Sequence, residues 1–192
     1  MCQIILQSAE FFAFLLLIDI DLAAVAKAQG CHDCQGRLHQ AHYPRKPRGA
    51  KCALGDEFRR RFSFCCAVCR HRTTPVSVRF LGRRVYLGVV VALASAMAAG
   101  LSGPRTGKLV AGLGVPLLTL RRWRQWWLDD FVRTPLWRGK RALFMPPVDE
   151  CRLPACLLPC FSAADEAGRW VLLLRFLAPL SSVTAGKDCE GR

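Results

Sequence analysis

Cys31-His32-Asp33-Cys34 and Cys65-Cys66-Ala67-Val68-Cys69 decide how this sequence is read. Each Cys-x-x-Cys pair puts two thiolates on one tight knuckle. Two knuckles supply the four soft ligands that Zn²⁺ takes in a closed tetrahedral structural site. The expected ligands are Cys31, Cys34, Cys66 and Cys69. Cys65 is the spare, because only Cys66 stands at two-residue spacing from Cys69. The linker is longer than the roughly 15–20 residues usual between knuckles, which predicts an extra loop within a zinc ribbon. A disulfide framework is not expected, since the eleven cysteines are an odd number and no basic leader precedes the first apolar run.

Outward from the cysteines, charge is uneven. The net charge is +14. Residues 31–84 carry +10 of it and residues 105–141 carry +7, whereas residues 1–30 and 142–192 sum to −2 and −1. All four histidines lie in the cysteine segment. Two basic blocks between near-neutral ends point to a polyanion, and duplex DNA is the expected partner. Residues 37–51 hold five cations, two prolines and a glycine, which predicts an extended loop with Arg45 and Arg48 on phosphate backbone, or else a solvated linker.

Residues 9–28 read as a helix with Phe11, Phe12, Phe14, Leu15 and Ile18 apolar. Asp19 and Asp21 leave too short an uncharged run to span a bilayer. That helix is expected to pack on the rest of the fold or on a second copy. Residues 58–80 read as a β-hairpin around the second knuckle, with Val76, Val78 and Phe80 alternating and Arg70, Arg72 and Arg79 flanking. Residues 85–104 carry no charge. Their length admits a membrane span, but half are Ala, Gly or Ser, so Val85–Ala99 reads as a buried core helix.

Residues 105–127 carry the second motif. Thr106 can start a short helix reaching Ala111, Gly112-Leu113-Gly114 form a turn, and Leu117–Trp127 form a second helix after Pro116. Leu120, Trp123 and Trp127 share one face of that helix. Leu118, Arg121, Arg122 and Gln125 share the opposite one. This is the pattern of a helix-turn-helix, with Arg121, Arg122 and Gln125 on base edges or phosphates and Arg124 and Lys108 on backbone. Glu166–Leu177 reads as a last helix.

Cys31-x-x-Cys34, the Tyr43-Pro-Arg-Lys-Pro-Arg-Gly run, Phe62-Ser-Phe-Cys-Cys, Cys69-Arg-His-Arg-Thr-Thr-Pro and Phe80-Leu-Gly-Arg-Arg-Val-Tyr together resemble small bacterial zinc-ribbon proteins associated with insertion sequences. A ribbon followed by a helix-turn-helix also resembles the DNA-recognition end of transposases. The resemblance implies a DNA-binding protein of a mobile element, in the cytoplasm with the nucleoid, partnered by a separately encoded transposase or by a second copy. No small-molecule substrate is implied. Transposase nucleases hold two metal ions on convergent carboxylates. The acids after Trp127 stand at no strand end that would converge them, so a non-enzymatic protein is expected, either self-sufficient or a non-catalytic fragment or accessory of a transposase.

The expected fold is mainly α with a small β zinc ribbon and a helix-turn-helix after it. Its segments are an N-terminal helix (1–30), the ribbon with its basic loop (31–84), a core helix with the helix-turn-helix (85–141) and short C-terminal helices (142–192). The competing reading is a membrane-associated protein spanning at 85–104 with its basic segments on the cytoplasmic side.

Overall fold

A computed structural model describes residues 5–81, 85–98, 106–107 and 111–182. The chain opens with helix α1 (Ala9–Gln29). The Ser8 side chain accepts the Phe11 N–H at 3.1 Å, satisfying a first-turn donor. Gly30, at φ +76°, ends the helix, in a conformation that a Cβ would strain. Phe11, Phe12, Leu15 and Ile18 are buried, while Phe14, Leu17 and Val25 are exposed.

The next segment is the ribbon. Strands β1 (Leu38–Gln40), β4 (Phe64–Cys66) and β5 (Arg72–Thr73) form an antiparallel sheet in the order β1-β4-β5. Leu38 stands opposite Cys66. Strands β2 (Tyr43–Pro44) and β3 (Arg60–Arg61) make a second, two-stranded sheet. These strands are too short to be stable alone. They sit over a small apolar cluster of Ala23, Cys31, Leu38, Phe62, Phe64 and Cys66.

The hairpin expected over 58–80 is present at β4–β5, but it stops there. Val76, Val78 and Phe80 alternate without forming a regular strand; only an isolated bridge joins Phe80 to Leu87. The cause is Asp19. Its carboxylate accepts the Val78 N–H at 2.7 Å and the Ser77 hydroxyl. The Ser77 hydroxyl oxygen in turn accepts the N–H groups of Arg79 and Phe80, each at 3.2 Å. Backbone donors that would feed a strand ladder are thus spent on side chains.

Arg79, one of the arginines that flank the hairpin in the sequence, is buried. Its Nε donates to Asp19 at 2.7 Å, with both side chains essentially inaccessible. Its other nitrogens donate to the carbonyls of Phe58 and Arg60 at 2.7 and 2.9 Å. The rings of Phe58, Phe62 and Phe80 lie 5.0–5.1 Å from the guanidinium carbon. Arg61 is buried beside it and donates to the Pro75 carbonyl. Burial lowers the pKa of both guanidiniums, and the Asp19 charge opposes that.

Helix α2 (Gly88–Ala98) is the expected core helix, with residues 88–95 all buried. Among the described residues, no helix is long and apolar enough to cross a membrane. Residues 106–107 and 111–113 are helical, Gly114 turns the chain at φ +64°, and Val115 is buried. Helix α3 (Leu117–Gln125) follows and packs on α2. It continues through a π turn (Trp126–Asp130) and a 3₁₀ turn (Phe131–Arg133), so the helical path runs beyond the expected end at Trp127. Leu120, Trp123 and Trp127 are buried as the periodicity requires.

The wider π turn brings Trp126, Trp127 and Phe131 into mutual edge and tilted contact. Phe131 passes this contact on to Trp137 of helix α4 (Pro135–Lys140). Helix α5 (Glu166–Leu177) closes the core, with the Asp165 carboxylate accepting the Gly168 N–H at 2.6 Å.

Candidate metal centre

The structure brings Cys31, Cys34, Cys66 and Cys69 together. Their four sulfurs all lie within 4.8 Å of one another. Cys31 and Cys69 are 3.5 Å apart, and Cys34 and Cys66 are 3.4 Å apart. Four sulfurs at about 2.3 Å from one tetrahedral metal stand about 3.8 Å from each other, so the cluster has the dimensions of a metal site. The described residues contain no other metal-competent group of His, Cys and acidic side chains.

The two knuckles repeat one another. The Cys31 N–H donates to the Gly36 carbonyl at 3.0 Å, and the Cys66 N–H donates to the His71 carbonyl at 2.9 Å. Gln35 and Arg70 each stand four residues after the first cysteine of their knuckle, and both have positive φ, at 58° and 62°. A left-handed residue at that offset, one past the second cysteine, turns the chain back so that the next residue's carbonyl meets the first cysteine's N–H. The repeat starts at Cys66, not Cys65. Successive strand residues point to opposite faces, and the Cys65 thiol turns instead toward the carbonyls of Cys66 and Arg70.

Gly36 completes the pocket. A Cβ there would lie 2.9 Å from the Cys66 sulfur and 3.2 Å from the Cys34 sulfur. The sequence signal was available, two residues past Cys34, but glycine after a knuckle has many explanations. Asp33 links the knuckles from outside, 2.7 Å from His71 Nδ1.

Four thiols so close cannot all ionise without a counter-cation. Burial raises the Cys66 pKa, but the N–H groups of Cys69 and Val68, with the thiols of Cys34 and Cys69, outweigh it and bring Cys66 to about 6. At Cys69 the His71 N–H lowers the pKa, yet burial and the other three cysteines push it up to about 12. The first thiolate forms easily and a later one does not, which is the electrostatic demand a divalent cation meets.

The expected nucleic-acid residues fall into two groups. On α3, Arg121, Arg122, Arg124 and Gln125 are exposed. Gln125 also donates to Asp129 one turn on, which engages its amide within the helix. The second group is on the proline-rich loop. Arg45 is half-buried, with its guanidinium over the Phe80 ring at 5.3 Å. Arg48 is exposed. Lys108 lies outside the described residues.

That loop is neither a free arm nor a loose linker over residues 48–51. The Arg48 N–H donates to Val85 and its carbonyl accepts from Leu87, both at 3.1 Å. Gly49, at φ +101°, approaches α2 so closely that a Cβ would sit 2.6 Å from Val90. The Lys51 ammonium reaches the Gly112 carbonyl, just before α3. Tyr86, paired with Arg48, meets Trp123 of α3 edge-on at 5.1 Å. No protein-family model, curated protein or solved structure matches the chain.

Proposed function

We propose that this protein is a zinc-containing, non-enzymatic nucleic-acid-binding protein that holds duplex DNA across α3 and the docked loop. Zn²⁺ is the ion that best suits four cysteine sulfurs in a closed tetrahedral set. The observation that carries the DNA reading is the docking of residues 48–51 on 85–87 and on α2, with Lys51 reaching the Gly112 carbonyl in the approach to α3. It ties together two basic blocks that are separate in sequence. Arg121 and Arg122 would reach base edges or phosphates, and Arg124, Arg45, Arg48 and Lys108 the backbone.

The helix-turn-helix belongs to this reading, with Gly114 as its turn and α3 as its recognition helix. The competing account of the arginines is a charged helix surface, with Arg122 and Arg124 complementing the α3 C-terminus. The resemblance to insertion-sequence proteins adds a mobile-element setting and a separately encoded transposase as partner.

The test is selection from random duplexes, followed by titration at two salt concentrations. Arg122→Ala should cost about 1–3 kcal/mol on the selected site and relax preference at one position. Arg48→Ala should weaken all sequences alike and flatten the salt slope by about one. If no sequence is enriched and both variants behave alike, the recognition-helix reading fails.

A further inference from the structure

We infer that the ribbon carries a second nucleic-acid site, a groove for single-stranded nucleic acid, which shares Arg45 with the duplex surface but not α3 and rests on the nucleic-acid reading above. The groove is open and about 440 Å³ in volume. Tyr43, Arg45 and Lys46 come from one segment and Asp56, Arg59 and Arg60 from another. The β2–β3 pairing, Tyr43 opposite Arg61 and Pro44 opposite Arg60, holds the two segments side by side, and the Arg45 N–H donates to the Arg59 carbonyl at 2.6 Å.

Four cations face one carboxylate. Arg60 is partly engaged, 3.3 Å from Glu57. Lys46 and Arg59 are exposed and have no acidic partner among the described residues. Two such cations lining one groove from adjacent paired segments suit a phosphodiester rather than a neutral ligand.

Size and lining narrow the choice. The volume lies in the range of a small-ligand site, which suits a nucleotide-sized unit and is far too small for a duplex. Tyr43, whose ring already carries the Arg72 guanidinium 5.9 Å from its centroid, and Pro44 add apolar surface among the cations, and a cationic groove with an aromatic platform is how unpaired strands are held. Holding an anionic membrane by more than surface charge would need apolar side chains to insert. None of the exposed large apolar side chains lines this groove.

The experiment is fluorescence anisotropy on the metal-loaded full chain, with a labelled oligothymidylate of about twelve nucleotides, within the span one such domain covers, and a duplex of equal length. Arg59→Ala and Lys46→Ala should each weaken oligothymidylate binding and flatten its salt slope by about 0.7, the single-strand value per phosphate. Tyr43→Leu should weaken it about 5- to 150-fold with the slope unchanged, as loss of one stacked base requires. Arg122→Ala should leave it unaltered. Metal content and tryptophan fluorescence report the fold. If Tyr43→Leu disturbs them, the exposed Arg59→Glu decides alone.

Absence of oligothymidylate binding, or binding indifferent to Arg59 and Lys46, overturns the inference. So does capture of phosphatidylserine vesicles that competes with the oligonucleotide for the same residues. Arg122-dependent duplex binding without groove-dependent strand binding would remove this site and leave the proposed function. The reverse result would keep the groove and remove the duplex reading.

Discussion

Replacing Asp19 by alanine tests whether one carboxylate ties the N-terminal helix to the ribbon and the core. Asp19 serves three donors, the Ser77 hydroxyl, the Val78 N–H and Arg79 Nε. Alanine removes the counter-charge of a guanidinium that solvent does not reach. Breaking a buried pair in this way costs about 3–5 kcal/mol, and an orphaned N–H can add about 1–3 kcal/mol before relaxation. Since the frame can relax, we expect a loss near the upper part of the first range, roughly 4–5 kcal/mol. That is a large share of the 5–15 kcal/mol typical of a domain. Asp19→Asn should lose less, because the amide oxygen still accepts from Val78. The double variant Asp19→Ala with Arg79→Met should not return to the parent value, because the carbonyls of Phe58 and Arg60 lose their donor. Urea unfolding of the metal-loaded chain, followed by tryptophan fluorescence, measures each. Asp21→Ala, on the exposed face, is the control and should lie within about 0.5 kcal/mol of the parent. A loss below about 1 kcal/mol for Asp19→Ala would refute the clasp and leave the pair as a passive neighbour.

Other expectations concern the cysteine cluster. The purified chain should carry one zinc; Cys66→Ser should lose it and Cys65→Ser should not, as read by metal analysis. Gly36→Ala should weaken zinc retention against a chelator without changing the ligand set, because its methyl would press on two of the sulfurs. Zinc uptake should release protons, seen by calorimetry in buffers of different ionisation enthalpy. At neutral pH Cys66 is already a thiolate, with its pKa near 6, while Cys69, near 12, must give up its proton. Affinity should therefore rise with pH and fall steeply once the pH drops below about 6, where Cys66 also takes a proton; an affinity that is flat between pH 5 and 8 would contradict this.

Much of the architecture was legible where the determinants are local. The cysteine spacing indicated which sulfurs would meet, because a knuckle is built within a few residues. The helices at 88–98 and 166–177 followed from an uncharged run and from apolar periodicity. What escaped depends on distant partners. Nothing near Arg79 marks it as buried, since its partner lies 60 positions earlier on α1. The same carboxylate diverted Val76–Phe80 from the strand that their alternation predicts. The docked loop was illegible for a similar reason: Gly49 looks like an ordinary turn glycine until Val90 is placed against it. The positive φ values of Gln35 and Arg70 fall on residues that carry no left-handed signature, so the symmetry of the knuckles emerges only in three dimensions.

The long reach of the two sulfur pairs, across 38 and 32 positions, has a cellular consequence. An ion held there is a removable staple around a segment whose strands are only two or three residues long. Bringing ends together over a loop of that length costs about 3 kcal/mol of chain entropy, from the three-halves RT logarithm of its length. Those short ladders are poorly placed to supply that alone. Inside the staple lie the β2–β3 pairing and the loop that leans on α2. Chains lacking the ion would be synthesised yet would not keep the β2–β3 pairing and the loop in place. Under the proposed zinc reading, folded molecules would then track metal supply as much as translation, and a fall in free zinc would undo the ribbon without any change in the amount of chain.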